Sequence, residues 1–398
     1  MIRHLLKMVW NRKAANALIG LEILVSFLVL FAVSAMGVYQ WRNYRQPLGF
    51  DWRPVWSVKF RPPRELGTDY EIGYDLVEPL VRGVAQLDFV DGAAVVSMPL
   101  YSGSGWGWSL EEGDRTIKVR LAAGDDGLQR VMGLEIVRGR WFNAEDDVGT
   151  DNRRRGVISQ SLAREYFGDD DPIGGRLRES GDDDFEIEVV GVMTDYRYRG
   201  ELSAPTHMAI VRALSGSEPD YLGSIAVRVR PGTTAAAEET ILERLHALAP
   251  SWSFEVEPAA AARERYFRER LAPLLIAGLV AGFLLLMVAL GLVGVLWQAV
   301  TQRTAELGVR RAQGANPGHV LVQIQGELLV LTTLALGLGT ILVAQVPLIG
   351  WFPKLTGPIF LRALGISGLG MLVLAALAGL YPSWMATRIE PAHALHYE

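Results

Sequence analysis

"ALIGLEILVSFLVLFAVSAMGVY", residues 17–39, carries a single charge, Glu22, close to its start. A hydrocarbon core about 30 Å thick takes roughly 20 apolar residues in helical form, because backbone groups left unpaired in lipid are too costly. Three further stretches meet that requirement, and 271–302, 328–353 and 363–387 hold no charged residue at all. The first run is not a removed signal peptide: "QWRNYRQ" follows it, with no small-x-small cleavage pattern. The chain has 398 residues, half of them hydrophobic. Because the apolar residues concentrate in these four blocks, the sequence reads as a polytopic α-helical membrane protein rather than a soluble multidomain one.

Arg and Lys in the short flanks set the orientation. Arg3, Lys7, Arg12 and Lys13 precede the first span, Arg303, Arg310 and Arg311 lie between the second and third, and Arg388 follows the fourth. Only Lys354 and Arg362 mark the turn between the third and fourth. Both termini are therefore expected in the cytoplasm, with residues 40–270 outside. The absence of cysteine is compatible with an oxidising compartment, since a segment this long can bury a core without disulfides.

The external segment alternates strand-like runs ("GAAVVSMPLY", "FEIEVVGVMTDYRY", "SIAVRVRP", "FEVEP") with helical ones ("DLVEPLVRGVAQL", "QSLAREYF", "TAAAEETILERLHAL"). That is an α+β pattern, a large domain inserted between the first and second membrane helices. The expected layout is an amphipathic N-terminal helix at 1–16, a first span at 17–39 and the domain at 40–270. Within the domain, flanks 40–100 and 212–270 form a membrane-proximal subdomain and 101–211 is inserted. Spans at 271–302, 328–350 and 363–385 follow, joined by a cytoplasmic turn at 303–327 and an external one at 351–362, with a cytoplasmic tail at 386–398. Residues 259–272 lack a helix breaker, so the second span is expected to begin as a helical stalk.

Chemistry outside the membrane is sparse. Only His207 and His246 lie in the domain, no G-x-S-x-G occurs, and no metal-ligand cluster is visible. The runs "GDDD" at 168–171 and 181–184 lack the alternating spacing of a calcium loop and read as solvated turns. "YSGSGWGWS" (101–109) reads as a hairpin with packed tryptophans. The chain itself is expected to be non-catalytic, with no bound cofactor and no nucleic-acid partner. Glu22 and Glu327 are the candidate intramembrane polar residues, Glu22 being placed to reach the headgroups.

Between the second and third spans stands "TAELGVRRAQGANPGHV" (304–320). Glu306 and Arg310 are spaced i,i+4 in the favourable order, Gly314 suits a left-handed helix end, and Asn316-Pro317 suits the start of the next helix. A short cytoplasmic helix, a tight turn and a second helix follow from this pattern.

"TQRTAELGVRRAQGANPGHVLVQIQGELLVL" resembles the corresponding module of the MacB/FtsX-type permeases of ABC transporters, in which a helix of the type E-I/L-G-x-R-R-A-x-G-A lies between spans two and three. "GRWFNAEDD" (139–147), "VISQSLAREYFGDDDPIGGRLR" with "FEIEVVGVMTDYRYRGEL" (157–202) and "YPSWMATRIEPAHAL" (381–395) are similar to the same family. Gln313 and Ser383-Trp384 depart from its pattern. The resemblance implies a bacterial inner-membrane permease subunit. Its coupling helix, with Glu306, Leu307, Gly308, Arg310, Arg311, Gly314 and Ala315, docks on a cytoplasmic ABC ATPase dimer. It also implies a second permease chain, identical or paralogous, and an adaptor and outer-membrane channel where the role is efflux. No lysine follows a glycine, so the phosphate cradle G-x-x-x-x-G-K-[ST] is missing and ATP and Mg are expected in the partner ATPase. Export from the periplasm or membrane is the leading expectation. Activation of a periplasmic cell-wall hydrolase and lipoprotein release are the alternatives.

Overall fold

The computed structural model describes residues 13–63, 73–103, 106–112, 115–146, 153–179, 182–213, 222–302, 317–350, 352 and 354–387. The N-terminal segment before Lys13, the stretch from Glu306 to Ala315 and the tail after Thr387 lie outside them. The chain divides into two compact units, one comprising Met1–Arg42 with Leu271–Glu398 and the other Asn43–Arg270.

Helix α1 (Lys13–Tyr44) opens the chain. Then come β1 (Val55–Arg61), α2 (Tyr74–Ala85), β2 (Val90–Val96), β3 (Trp106–Glu112), β4 (Arg115–Gly124) and α3 (Leu128–Met132). Next are β5 (Ile136–Gly139), β6 (Arg153–Ser159), α4 (Gln160–Phe167), β7 (Arg176–Glu179), β8 (Asp182–Met193) and β9 (Met208–Arg212). The order ends with β10 (Ser224–Val229), α5 (Ala236–Leu248), β11 (Ser253–Pro258), α6 (Ala259–Gln302), α7 (Pro317–Leu348) and α8 (Gly357–Thr387).

Within the helical unit, four helices are long and apolar enough to cross a membrane: Ala17–Tyr44, Ala259–Gln298, Gln325–Leu348 and Gly357–Leu380. Each buries one stripe. On α1 the stripe is Ile19, Ile23, Phe27 and Phe31, spaced four apart, and on α6 it is Val288, Leu292 and Leu296. These pack with Leu328 and Ala335 of α7 and Met371 and Ala375 of α8. The opposite faces remain apolar and exposed, among them Leu275, Leu279, Phe283 and Leu290. Helices that are hydrophobic all round fit a lipid solvent.

The other unit is built from two strand-helix-strand repeats with a long insertion. Strands β11-β1-β10-β2 lie in that order, all antiparallel. Helices α2 and α5 cover the sheet. Helix α2 turns Val77, Leu80, Val81 and Val84 inward, and α5 turns Ala237, Ile241 and Leu245 inward, the i, i+3, i+4 spacing of an amphipathic helix. Facing them are Val58, Phe60, Ile225 and Val227, all buried. The topology is the split β-α-β arrangement.

The inserted segment between β2 and β10 closes on itself. Strand β4 pairs with β3, β3 with β7, β7 with β8, β8 with β6, β6 with β9, and β9 returns to β4 in parallel register, Arg120 opposite Met208 through Gly124 opposite Arg212. The ring is weakest between β3 and β7, which pair only at Leu110 opposite Glu179 among the described residues. Leu110, Ile117, Val119, Leu177, Ile187, Val189, Ile158 and Val211 are buried in its core. Sheet and ring meet at a single strand pair, Val96 opposite Gly124. Ser97 N–H donating to the Ala123 carbonyl at 3.0 Å reinforces that junction.

Candidate functional site

The seven residues of the expected docking helix, Glu306, Leu307, Gly308, Arg310, Arg311, Gly314 and Ala315, fall outside the described residues. Glu22 and Glu327 are described, on α1 and α7 respectively, both half-buried. The Glu22 carboxylate lies against α6: a Cβ added at Gly291 would sit 2.9 Å from its Oε2. The missing side chain at 291 makes room for the carboxylate between two apolar stripes.

The loop after β8, "DYRYRGELS" (195–203), which the sequence flagged by resemblance as far as Leu202 without assigning it a role, gathers a densely bonded polar cluster. Arg197 is 2% exposed. Its Nη1 donates to the Gln46 carbonyl at 2.9 Å, and its Nη2 donates to the carbonyls of Glu201 at 2.6 Å and Ser203. Its backbone N–H donates to Leu48 at 2.9 Å. The chain leaving α1 is thus pinned to this loop, and Asn43 Nδ2 adds a bond to the Leu202 carbonyl at 3.1 Å. The bonds to both Nη groups offset the cost of burying the guanidinium.

The first turns of α6 grip the same loop. Arg263 pairs with the buried Glu201 carboxylate, and its guanidinium lies 4.6 Å from the ring centroids of both Trp52 and Phe267. Tyr266 Oη and Ser203 Oγ are 3.1 Å apart. Gly200 takes φ +95°, and a Cβ there would meet the rings of Tyr101 and Tyr266 at 2.8 Å. Tyr101, held at φ 58°, donates its N–H to the Tyr198 carbonyl at 2.7 Å. One loop therefore ties together the end of α1 and the start of α6. The run of two Arg, two Tyr and a Gly at a strand end was the available signal. Its partners, Gln46 and Arg263, are too distant in sequence to be paired by inspection.

A second polar group near the ring has no catalytic geometry. His207 Nδ1 stands 3.2 Å from Ser161 Oγ, but Asp195 Oδ1 accepts the backbone N–H of Ser161 at 2.9 Å rather than orienting the imidazole. A nucleophile needs its base oriented by a third group. Here the carboxylate serves the first turn of α4, whose cap is Ser159.

Four membrane-spanning helices with a large α+β domain inserted between the first and second define a polytopic membrane protein of the permease type. Residues 23–245 match the MacB-like periplasmic core domain and residues 278–391 the FtsX-like permease C-terminal region. The chain belongs to the MacB/FtsX-like ABC transporter permease family. Over 286 residues it is 27% identical to the uncharacterized ABC transporter permease YknZ of Bacillus subtilis, covering 69% of each chain. It is 25% identical over 283 residues to the macrolide export ATP-binding/permease protein MacB of Bdellovibrio bacteriovorus, covering 65% of this chain and 41% of that one. To the pyoverdine export ATP-binding/permease protein PvdT of Pseudomonas syringae pv. tomato it is 26% identical over 296 residues, covering 70% and 43%. The chain thus spans less than half the length of MacB and PvdT. The periplasmic region of MacB from Actinobacillus actinomycetemcomitans aligns with a TM-score of 0.38 at 14% identity, over 56% of this chain and 97% of that one. Family membership implies a membrane setting, a periplasmic domain and an ATP-binding partner.

Proposed function

We propose that this chain is the mechanical subunit of an exporter. A separate cytoplasmic ATPase dimer, carrying ATP and Mg, docks on residues 304–315, and its closure moves α6 and α7. The periplasmic domain then changes shape and drives a substrate outward from the periplasm or the membrane, with two permease chains per complex. The observation supporting this reading is that α6 is one helix of 44 residues, Ala259–Gln302. Its first turns carry Arg263 and Tyr266, which are bonded to the 195–203 loop. In this reading a displacement of the helix is passed to the loop through those two contacts. The names of the macrolide and pyoverdine export relatives favour export over hydrolase activation.

Docking is tested by co-purifying the ATP-binding subunit with variants of the full chain, alongside export in cells. Truncating a buried interface anchor commonly costs about 2 kcal/mol or more and a rim charge much less. Leu307→Asp is expected to abolish co-purification and Arg311→Ala to weaken it slightly. Gly314→Val is expected to retain the ATPase yet lose export, because a β-branched residue strains a left-handed helix end. Wild-type retention and export by Leu307→Asp would reject the docking assignment.

A further inference from the structure

Two cations meet where the end of α1 touches the turn between α7 and α8. Tyr39 and Arg42 are three apart on α1 and so share a face. The Lys354 ammonium lies 5.7 Å from the centroid of the Tyr39 ring, and Arg42 Nη1 donates to Thr356 Oγ1 at 3.2 Å. Both contacts join the same two short segments, so a guanidinium and an ammonium are held at one exposed junction. Among the described residues neither is paired with a carboxylate. The chain has no acidic residue between Glu22 and Asp51 or between Glu327 and Glu390, and Trp351 and Pro353, the two residues of the turn outside the described ones, are uncharged. Glu22 is about 30 Å from Arg42 along α1.

We propose that this junction binds the phosphate group of an anionic phospholipid. The guanidinium supplies a planar fork for two phosphate oxygens and the ammonium a point charge, and the phosphate relieves the repulsion between them. The occupant is a lipid because the junction lies at the ends of the spans Ala17–Tyr44, Gln325–Leu348 and Gly357–Leu380, the level at which headgroups lie. Leu348, Ile349 and Phe352 beside it are 84%, 69% and 62% exposed, an apolar surface for acyl chains. A zwitterionic headgroup brings its own ammonium and satisfies two protein cations less well. The site is independent of ATPase docking and is measured without an ATPase.

The test is native mass spectrometry of the full chain, delipidated in a maltoside detergent and titrated with dioleoyl phosphatidylglycerol or dioleoyl phosphatidylcholine. The first phosphatidylglycerol is expected to bind at least tenfold more tightly than the first phosphatidylcholine, and sn-glycerol 3-phosphate should not displace it. Arg42→Gln and Lys354→Gln are each expected to weaken it about tenfold, the share of a charge-assisted hydrogen bond. Both side chains are exposed, so the thermal midpoint without lipid should hold. Arg362→Gln is the control for diffuse charge. Phe360 faces α1 through Phe31, 5.4 Å away between ring centroids, and Arg362, two positions on, lies about 200° round α8, so this variant should bind like wild type. The proposal is overturned if the two lipids bind equally, if either Arg42→Gln or Lys354→Gln binds like wild type, if Arg362→Gln loses as much as they do, or if glycerol phosphate displaces the lipid.

Discussion

Asp125 sits where sheet and ring join, 6% exposed. Its carboxylate accepts N–H groups from Val95 on β2 at 2.8 Å and from Gly127 at 3.0 Å. Around it lie the Tyr74 hydroxyl and Asp126, which is itself paired with Arg212 at 2.7 Å. Burial pushes the Asp125 carboxyl up from 3.8 to about 6, against the opposing pull of its backbone bonds. The folded state then holds the proton more tightly than the unfolded chain does. Stability from this group is full below pH 3.8 and falls as pH rises, the loss of about 3 kcal/mol being complete above pH 6. Thermal midpoints of the full chain and of Asp125→Asn, measured from pH 4 to 7, should show this slope only in the wild type. Asp146 has the opposite sign. Bonds from Arg140, burial notwithstanding, and from Asn143 and Arg155 bring it down to about 2. Its contribution is present above pH 3.8 and is lost as pH falls through 2. Asp146 lay in "GRWFNAEDD", a stretch that the sequence flagged by resemblance alone. Nothing local distinguished its paired carboxylate from Asp125's unneutralised one, because burial is a property of the folded chain.

At the scale of elements, local chemistry was the readable part. "QSLAREYF" is helical by composition and folds as α4, Gln160–Phe167, because Ser159 accepts the Leu162 N–H at its start. "YSGSGWGWS" carries Trp108 into the core of the β3–β4 hairpin. The tie between the 195–203 loop and α6 was not readable, since it depends on an ion pair between Glu201 and Arg263 across three strands and a helix. That tie makes a prediction about coupling. Breaking a buried ion pair by removing one partner costs about 3 kcal/mol, so Glu201→Gln and Arg263→Met should both lower the thermal midpoint. Arg263→Met should also keep the ATP-binding subunit attached and hydrolysing ATP while export falls. Arg263→Lys, which keeps the charge but not the fork over Trp52 and Phe267, should recover part of it. Export unchanged in Arg263→Met would remove this contact from the transmission route.

For the whole molecule, the four hydrophobic runs announced the membrane class because helix length in lipid is set by thickness alone. The closed ring was hidden. Its closing contact, β4 with β9, is a parallel pairing between strands separated by 83 residues of chain, Gly124 to Met208, and leaves no periodic trace. Orientation is open to a direct test because the chain has no cysteine. Glu239, exposed on α5, and Gln313 can each be replaced by cysteine and treated with an impermeant thiol reagent in spheroplasts. Glu239→Cys is expected to react and Gln313→Cys to react only after lysis, placing both termini inside by the flanking charges. The reverse pattern would invert the topology.

The strand order also imposes a sequence of events on biosynthesis. Strand β1 pairs with β10 and β11, so a nascent chain that has delivered Val55, Trp56, Val58 and Phe60 must wait for residues 224–258 before their strand is sealed. The inserted ring becomes complete earlier, once β9 at 208–212 arrives. Pairings that close over long stretches of chain are slow and leave apolar surface open to proteases and to misassociation. The last strand to arrive ends at Pro258, and Ala259 begins α6. Sealing the domain and threading its second membrane helix therefore become adjacent steps in time, and whatever delays the helix at the translocation machinery also prolongs the exposure of β1.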